Sequence, residues 1–386
     1  MFSLLIFVIS FNAFSLKFIS FQYEEILNRL NVLAGIDICG SYSFLELDML
    51  HDFSWISSFT CDGYKLQDLY LKDSQCEIEI EKNVRVGTNT LRGNLSFKEE
   101  GVTISNMTLY YVNQRAGGFF DTIGLGYKIT SPERSFIMTL KNNKLIDKMG
   151  FGFFHNMKDI ASKGELIFGE VPEKYYKDRY SFSCKVNDKK EVWGCGISGL
   201  TINDKEFKLS ANKVYGIFQS HSIMISVPPK VFHWISDEVF SKYITEKKCQ
   251  LDRYYISCFE NQLDDFKEVS LIIGNRKFTL QKKQVFMFTG LMSNFAIRMD
   301  QQLQDDEWII GVPLIKYYET YYDYENKEIT FYSDTPFELI DGISFYASVK
   351  VYYFIVIVIT IASSIVMLYI RRKIIMEEEK KKTSRY

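Results

Sequence analysis

Residues 351–370 form an uncharged apolar run, and this run constrains the fold more than any other feature of the chain. It has the roughly 20 residues that an α-helix needs to cross the hydrocarbon of a bilayer. Tyrosines stand near both of its ends, and Arg-Arg-Lys follows at 371–373. Because basic residues stay on the cytoplasmic side, we expect a single-pass type I membrane protein with a cytoplasmic tail at 371–386. A buried core helix, the alternative, seldom lacks every charge over this length.

The first 15 residues predict a secretory signal peptide. Residues 2–9 are a short apolar run, and the small residues Ala13 and Ser15 suit cleavage after Ser15. A buried N-terminal strand is the alternative. We therefore expect a secretory-pathway protein with a lumenal or extracellular ectodomain, at the cell surface or in an endolysosomal or vacuolar membrane.

The segment between these two ends is long enough for two lobes of ordinary size. Short runs of alternating apolar and polar residues, such as 76–81 and 268–273, predict a mainly β structure. Helical patterns are confined to a few stretches, notably 135–146 and 229–245. The formal net charge is only −2 and no basic stripe is present, which argues against nucleic acid as a partner.

Seven cysteines in an exported chain predict disulfides with one thiol left over. The locally closable pairs are Cys61 with Cys76, Cys184 with Cys195, and Cys249 with Cys258. Cys39 is then the odd residue. Asn94 and Asn106 each begin an Asn-X-Ser/Thr acceptor, which predicts a glycoprotein.

Three separated segments have an order and spacing that are recognisable together. Residues 119–127 read Phe-Phe-Asp-Thr-Ile-Gly-Leu-Gly-Tyr, residues 164–176 begin Gly-Glu-Leu-Ile-Phe-Gly, and residues 308–329 begin Trp-Ile-Ile-Gly-Val-Pro-Leu-Ile. In this order they resemble segments of the pepsin-like aspartic proteases, and the resemblance covers nearly all of residues 32–332.

The resemblance implies a mainly β, bilobal pepsin-like aspartic protease fold with a central cleft, to which the sequence adds one C-terminal transmembrane helix. Residues 122–124 and 309–311 would each pass behind one catalytic loop. The expected organisation is a signal peptide (1–15), a short N-terminal segment (16–30), an N-terminal lobe (31–172), a C-terminal lobe (173–335), a stalk (336–350), a transmembrane helix (351–370) and a tail (371–386).

The first catalytic loop of the family, Asp-Thr-Gly-Ser-Ser-x-x-Trp, falls on residues 48–55. The spacing from aspartate to tryptophan is kept, and of the Asp-Thr-Gly core only the aspartate remains, as Asp48, while Met49 and Leu50 stand where the family has threonine and glycine. His51 and Asp52 complete the altered loop. A bulky side chain thus replaces a glycine that allows two backbones to approach closely.

The second catalytic loop falls on residues 216–223 and has lost its aspartate. Gln219 occupies that position, followed by Ser220, by His221 in place of glycine, and by Ser222. Aspartic proteases need two carboxylates that share one proton, so that one acts as base and the other as acid. A glutamine amide does not titrate, and the coupled pair is therefore lost.

The family's flap, Tyr-Gly-Thr-Gly-Ser, falls on Val86, Gly87 and Thr88 and the two residues that follow. The flap tyrosine is thus a valine. Removing one acid–base group alone typically costs about a hundredfold to ten-thousandfold in rate. With both catalytic loops and the flap altered, conventional peptide hydrolysis is not expected.

The leading hypothesis is a membrane-anchored pseudoprotease whose cleft binds a peptide or a protein, with no cofactor. One alternative is an active or repurposed hydrolase that uses Asp48 with a nearby histidine. His51 and His221 lie in the facing loops, where with Asp48 and Asp52 they would make an acid–base cluster; a metal site there is the weaker interpretation and is not predicted. A third hypothesis is a structural or adhesive surface glycoprotein.

Overall fold

A computed structural model describes most of the region between the two predicted targeting segments. The described residues are 14–17, 21–24, 29–32, 34–38, 41–57, 79–85, 88–97, 102–112, 121–155, 164–207, 209, 214–288 and 291–340, with single helical positions at 360, 363, 367, 371, 372 and 376. Cys39, Cys61, Cys76 and most of the predicted signal peptide lie outside them. The chain divides into two compact units, Met1–Glu338 and Leu339–Tyr386.

Strands dominate the first unit, as the alternating sequence pattern predicts. In chain order they are β1 (Phe14–Lys17), β2 (Phe21–Glu24), β3 (Arg29–Val32), β4 (Ala34–Ile38), β5 (Ser41–Asp48), β6 (Trp55–Ser57), β7 (Glu79–Arg85), β8 (Thr88–Phe97), β9 (Val102–Val112), β10 (Asp121–Gly124), β11 (Gly150–His155), β12 (Gly164–Phe168), β13 (Tyr180–Lys185), β14 (Gly194–Ile202), β15 (Lys205–Phe207), β16 (Val214–Phe218), β17 (Ile225–Val227), β18 (Cys249–Leu251), β19 (Ile256–Cys258), β20 (Glu268–Ile273), β21 (Arg276–Gln281), β22 (Phe286–Phe288), β23 (Ser293–Phe295), β24 (Ile297–Met299), β25 (Glu307–Ile310), β26 (Glu319–Asp323), β27 (Glu328–Ser333) and β28 (Glu338–Leu339). The strand expected at 268–273 is β20.

Few helices accompany the strands. The α-helices are α1 (Phe136–Asn142), α2 (Pro229–Trp234), α3 (Ser241–Thr245), α4 (Lys282–Val285) and α5 (Val312–Ile315), with 3₁₀ turns at Glu173–Tyr175 and Glu260–Gln262 and a π-helical segment at Ile235–Phe240. The helical stretch predicted at 229–245 is confirmed as α2, the π segment and α3 in succession. Pro229 suits its first turn, where an amide hydrogen has no intrahelical partner.

The helix predicted at 135–146 is shorter than expected. Ser135 caps α1 by accepting a hydrogen bond from the Met138 amide, and Phe136, Ile137 and Leu140 are buried. The helix ends at Asn142 because Lys144 adopts φ of +57°, a left-handed conformation that terminates helices.

Three main sheets make up the first unit. The first has the order β4-β5-β10-β6-β9-β8-β7, and the second runs β24-β17-β25-β16-β14-β20-β21, with β15 beside β14. The third has the order β1-β12-β11-β26-β27-β13, so early and late parts of the chain share it. The two lobes are thus joined by a common sheet, and the last two residues of the predicted signal peptide belong to β1.

Aromatic side chains fill the core where these sheets meet. Trp193, Trp308 and Tyr322 are among the largest fully buried side chains. Phe151 stacks on Tyr322 with ring centroids 4.7 Å apart, and Trp193 contacts both of these rings. Contacts between aromatic rings therefore tie β11 and β26 to the second lobe's sheet.

Two of the predicted disulfides are present. Cys184 is bonded to Cys195, joining β13 to β14, and Cys249 is bonded to Cys258, joining β18 to β19. Among the described residues no helix is both long and apolar enough to cross a bilayer. The predicted span, 351–370, contributes only single positions to that set.

Candidate active site

Equivalent parallel strand pairs carry the two candidate catalytic loops. In the first lobe β10 runs parallel to β5, and Gly124 lies opposite Asp48. In the second lobe β25 runs parallel to β16. Gln219 follows directly after β16, and its backbone N–H donates to the Ile310 carbonyl at 3.0 Å. Asp48 and Gln219 therefore occupy matching positions at the ends of matching strands, as the sequence predicts.

A glycine stands directly behind each loop. A Cβ on Gly124 would lie 2.4 Å from the Phe53 carbonyl oxygen, and a Cβ on Gly311 would lie 2.2 Å from the Ser222 carbonyl oxygen. Real Cβ atoms do not approach backbone atoms this closely. The prediction that residues 122–124 and 309–311 pass behind the loops is confirmed, and their glycines are required for close backbone approach.

The Asp48 carboxylate is nearly buried and is satisfied within its own loop. Its side chain is 9% exposed, and one oxygen accepts from the amides of Leu50 at 2.8 Å and His51 at 3.3 Å. The other oxygen is 2.6 Å from Nδ1 of His51. Asp48 thus has a local imidazole partner rather than a second carboxylate.

His51 is about half exposed. A neutral imidazole that donates Nδ1–H to a carboxylate carries its lone pair on Nε2, the arrangement that orients a general base. The His51 ring also lies against Phe53, with centroids 5.2 Å apart. An Asp–His pair of this kind can act as a general base without a second aspartate.

Asp52 does not join this pair. Its carboxylate is buried and accepts hydrogen bonds from the amide and hydroxyl of Thr130 and, at 3.3 Å, from the Ser131 amide. These bonds fix the turn that leads into α1. The sequence prediction that groups Asp52 with Asp48, His51 and His221 is therefore wrong for Asp52, because the turn at 130–131 holds its oxygens.

Ser220 links the second loop to the first. Ser220 is only 1% exposed. Its hydroxyl donates to the carbonyl oxygen of Leu47, the residue before Asp48 in the first loop. Ser222 is also buried, but it donates within its own loop to the Met224 carbonyl at 2.8 Å. His221 between them is partly exposed. The structure therefore brings the two predicted loops together through one serine hydroxyl.

The two other replacements in the first loop have different surroundings. Met49 is fully buried in the hydrophobic core, so its side chain lies away from the cleft. Leu50 is partly buried. The hydroxyl that would match Ser220 in the first loop is absent because Met49 stands in its place.

Aromatic residues of the second lobe hold the strand behind the first loop. The Leu125 carbonyl accepts from the Trp193 indole at 2.8 Å and from the Tyr324 hydroxyl at 3.0 Å. Burial raises the pKa of the Tyr324 phenol, so it stays protonated and keeps donating. A Cβ on the next residue, Gly126, would meet the backbone of His51 at 2.6 Å. The path of the first loop is thus fixed from both lobes.

The predicted flap residues and the predicted glycosylation acceptors lie outside the two loops in the sequence. Thr88 begins β8 opposite Arg85, while Val86 and Gly87 lie outside the described residues. Asn94 and Asn106 are on the neighbouring strands β8 and β9, close to a register shift between Gly93 and Leu95. Within the described part of the chain, no cluster of three or more His, Cys, Asp and Glu residues is arranged to hold a metal ion.

Sequence reasoning missed the contacts between distant segments. The roles of Trp193 and Tyr324 depend on residues 68 and 199 positions away, and no local pattern indicates such pairs. The contact between Asp48 and His51 could be predicted from the sequence, because two side chains three residues apart in one loop can meet.

Comparison with protein families agrees with this geometry. A family model described as "Eukaryotic aspartyl protease" matches residues 55–333, more than half of the chain. This chain belongs to the eukaryotic aspartyl protease family. The match begins at Trp55, directly after the loop that contains Asp48.

Two of its relatives come from Plasmodium falciparum, isolate 3D7. Plasmepsin I is 26% identical over 301 residues, covering 72% of this chain and 62% of the relative. Plasmepsin IV is 22% identical over 302 residues, covering 72% of this chain and 63% of the relative. The match thus spans less than two thirds of either relative. Together with its two disulfides, this family membership indicates a secretory-pathway protein.

Proposed function

We propose that this chain is a membrane-anchored aspartyl protease homologue that binds a peptide or protein segment in its cleft without hydrolysing it. The observation that carries the proposal is Gln219 at the position that matches Asp48. Peptide hydrolysis by this family needs two carboxylates that share a proton, one to activate water and one to protonate the scissile carbonyl. An amide at one position removes that exchange.

The surroundings of Asp48 support the same conclusion. Its charge is compensated by the Leu50 and His51 amides and by the His51 ring, all from one loop. These contacts hold the Asp48 carboxylate within its own loop.

Peptide binding does not require the catalytic pair. The two loops stay joined through Ser220 and Leu47, and β7, which pairs antiparallel with β8, is an edge strand of the first lobe's sheet. A strand or loop of a partner can add to such edges through backbone hydrogen bonds that require no catalytic residue. The proposal of a bound peptide rests on analogy with the fold.

The experiment is a cleavage and retention assay of the full-length protein with a diverse peptide library, from acidic to neutral pH. We expect peptides to be retained without turnover. The double variant Gln219→Asp/His221→Gly is the matched comparison, because it restores the second carboxylate and the small residue beside it. Turnover by the unaltered protein that is lost in Asp48→Asn would refute the noncatalytic proposal.

A second candidate function follows from the 2.6 Å contact between Asp48 and His51. The pair would act as a general base toward water, in a hydrolase that no longer depends on two carboxylates. In this case turnover of a peptide or an activated ester would disappear in both His51→Asn and Asp48→Asn. The variant His221→Asn is the control and would keep its activity.

Membrane anchoring through residues 351–370 is part of the proposal. The support is the length and lack of charge of this segment and the basic residues that follow it. Alkaline carbonate extraction of vesicles tests it directly. We expect the full-length protein to stay with the lipid, whereas a chain in which 351–370 is replaced by a Gly/Ser linker would be released. Release of the unaltered protein would contradict anchoring.

A further inference from the structure

A row of four side chains crosses the second lobe's sheet beside the second catalytic loop. The strands β16, β25, β17 and β24 are neighbours in that sheet. Their register pairs Ile217 with Ile309, Ile309 with Ser226, and Ser226 with Arg298. Because paired residues of neighbouring strands lie on the same face of a sheet, these four side chains share one face. We call them the cross-strand row.

The two faces of these strands differ in burial. Trp308 and Phe218, which alternate with the row along β25 and β16, are almost completely buried in the hydrophobic core. The two isoleucines of the row and Arg298 are partly exposed, and neither isoleucine belongs to that core cluster. The cross-strand row is therefore a partly open apolar surface with one basic end.

The row lies next to Gln219, at the position that matches Asp48. Gln219 comes two residues after Ile217, and its backbone N–H continues the pairing with β25 by donating to the Ile310 carbonyl. Side chains two positions apart along a strand lie on the same side of the sheet. The cross-strand row thus extends sideways from the second catalytic loop, across three further strands.

Arg298 is anchored to the row by its own neighbour. Its Nε donates to the Ser226 hydroxyl at 2.8 Å, and Ser226 is fully buried. This bond uses one of the five N–H groups of a guanidinium, and the two terminal amino groups are left to bind another molecule. The basic end of the row is therefore held in place without being used up.

The charge of Arg298 has no acidic partner among the described residues. Asp300, two positions along the chain, accepts a hydrogen bond from the backbone N–H of Gln302 at 2.9 Å. Glu307, at the start of β25, pairs instead with Lys190 at 2.7 Å. A guanidinium stays protonated at every physiological pH. One end of the row thus carries a permanent positive charge that the described part of the chain does not compensate.

A carboxylate close to an apolar side chain is the chemistry that fits this surface. The planar guanidinium matches a carboxylate, and the isoleucines match an apolar residue. Neighbouring strands are about 4.8 Å apart, and the bond to Ser226 draws the guanidinium toward β17, the strand beside Ile309. Two residues on the same side of an extended peptide are about 7 Å apart. An extended peptide can therefore place one side chain on the isoleucines and the next on that side against Arg298.

We propose that the cross-strand row selects peptides that carry an aspartate or a glutamate two positions from an apolar residue. This inference rests on the proposed peptide binding and adds the class of peptide that the cleft accepts. Arg298 is then a specificity-determining residue, because its guanidinium contacts the side-chain carboxylate of the bound peptide.

The test is a retention assay of the full-length protein at neutral pH with short peptides that are acetylated and amidated at their ends. Each peptide has one leucine in a constant uncharged sequence, and the position two residues before or after it is Asp, Glu, Asn, Gln or Lys. We expect the Asp and Glu peptides to be retained about tenfold more than the Asn and Gln peptides, because hydrogen bonds to charged groups are stronger than neutral ones. Arg298→Gln should abolish this preference, and Arg298→Glu should transfer it to the Lys peptides.

Arg276→Gln is the matched control. Arg276 lies on β21, toward the other end of the same sheet, so this variant should keep the preference for Asp and Glu. A second peptide series with free C-termini separates a side-chain carboxylate from a terminal one. Retention that requires a free C-terminus would overturn the assignment to an acidic side chain.

Failure of this inference and failure of peptide binding give different results. If peptides are retained without preference for Asp and Glu, or if the preference survives in Arg298→Gln, the cross-strand row does not select a carboxylate. The inference is then refuted while peptide binding stands. If no peptide of either series or of the diverse library is retained, peptide binding itself fails and the inference fails with it.

Discussion

Replacing Ser220 by alanine tests whether one hydroxyl couples the two catalytic loops. The substitution removes a buried donor and leaves the Leu47 carbonyl short of a partner across the cleft. A lost buried hydrogen bond of this kind costs about 1–3 kcal/mol. For an ectodomain of this size the melting temperature should fall by about 2–6 °C.

Ser222→Ala is the matched control. Ser222 is also buried, and its hydroxyl donates to the backbone carbonyl of Met224 within the same loop. Both variants should lose similar stability. Only Ser220→Ala should loosen the first lobe's loop, where amide exchange at Leu50 and His51 should accelerate about tenfold, corresponding to about 1.4 kcal/mol.

Hydrogen exchange and thermal unfolding of the full-length variants give both readouts. Two results would refute the reasoning. If Ser222→Ala accelerates exchange at Leu50 and His51 as much as Ser220→Ala does, the contact with Leu47 has no special role. If neither variant does so, the loops are held by their own backbones, and the serine hydroxyl is incidental.

Two further predictions concern a glycine and a tyrosine. Gly311→Ala should destabilise the protein by more than about 3 kcal/mol, because the new Cβ would lie 2.2 Å from a backbone oxygen. Gly196→Ala is the control: a Cβ there would have no atom within 4 Å, and the free energy of unfolding should change by less than about 1 kcal/mol. Thermal or denaturant unfolding measures both changes. Tyr243→Phe should lower the melting temperature near neutral pH, since the hydrogen bond from Tyr243 is the largest cause of the lowered pKa of Asp265. A carboxyl group whose pKa is lower in the folded state stabilises the fold fully above its unfolded-state pKa, and this stabilisation is lost as the pH falls through the folded-state pKa. The difference in melting temperature between Tyr243→Phe and the parent should therefore shrink from about pH 5 to about pH 2. A difference that stays constant over this range would contradict the prediction.

The parts of the fold that depend on local pattern could be predicted from the sequence. The strand at 268–273 follows from its run of apolar residues that begins with alternation, and the disulfides at 184–195 and 249–258 follow from short loops that close easily. The matching positions of Asp48 and Gln219 follow from resemblance to the family. These features need only residues near each other or a known order of segments.

The other parts depend on residues that meet only in the folded chain. Asp52 binds the turn at Thr130, 78 positions later, so its sequence neighbours gave no sign of that role. Met49 is fully buried, although Leu50 and His51, which follow it in the same loop, are not. In both cases the deciding factor is which side of the loop meets the core, and a single sequence does not encode that in a local pattern.

The two loops are shaped from behind, by Gly124 and Gly311 and by bonds from Trp193 and Tyr324 to the backbone. A backbone held by its rear supports tolerates new side chains at its front. Catalytic side chains can therefore be substituted while the backbone path of the loops is kept. For the same reason, positions 50, 51 and 221 are suitable for designing a new recognition site without changing the rest of the fold.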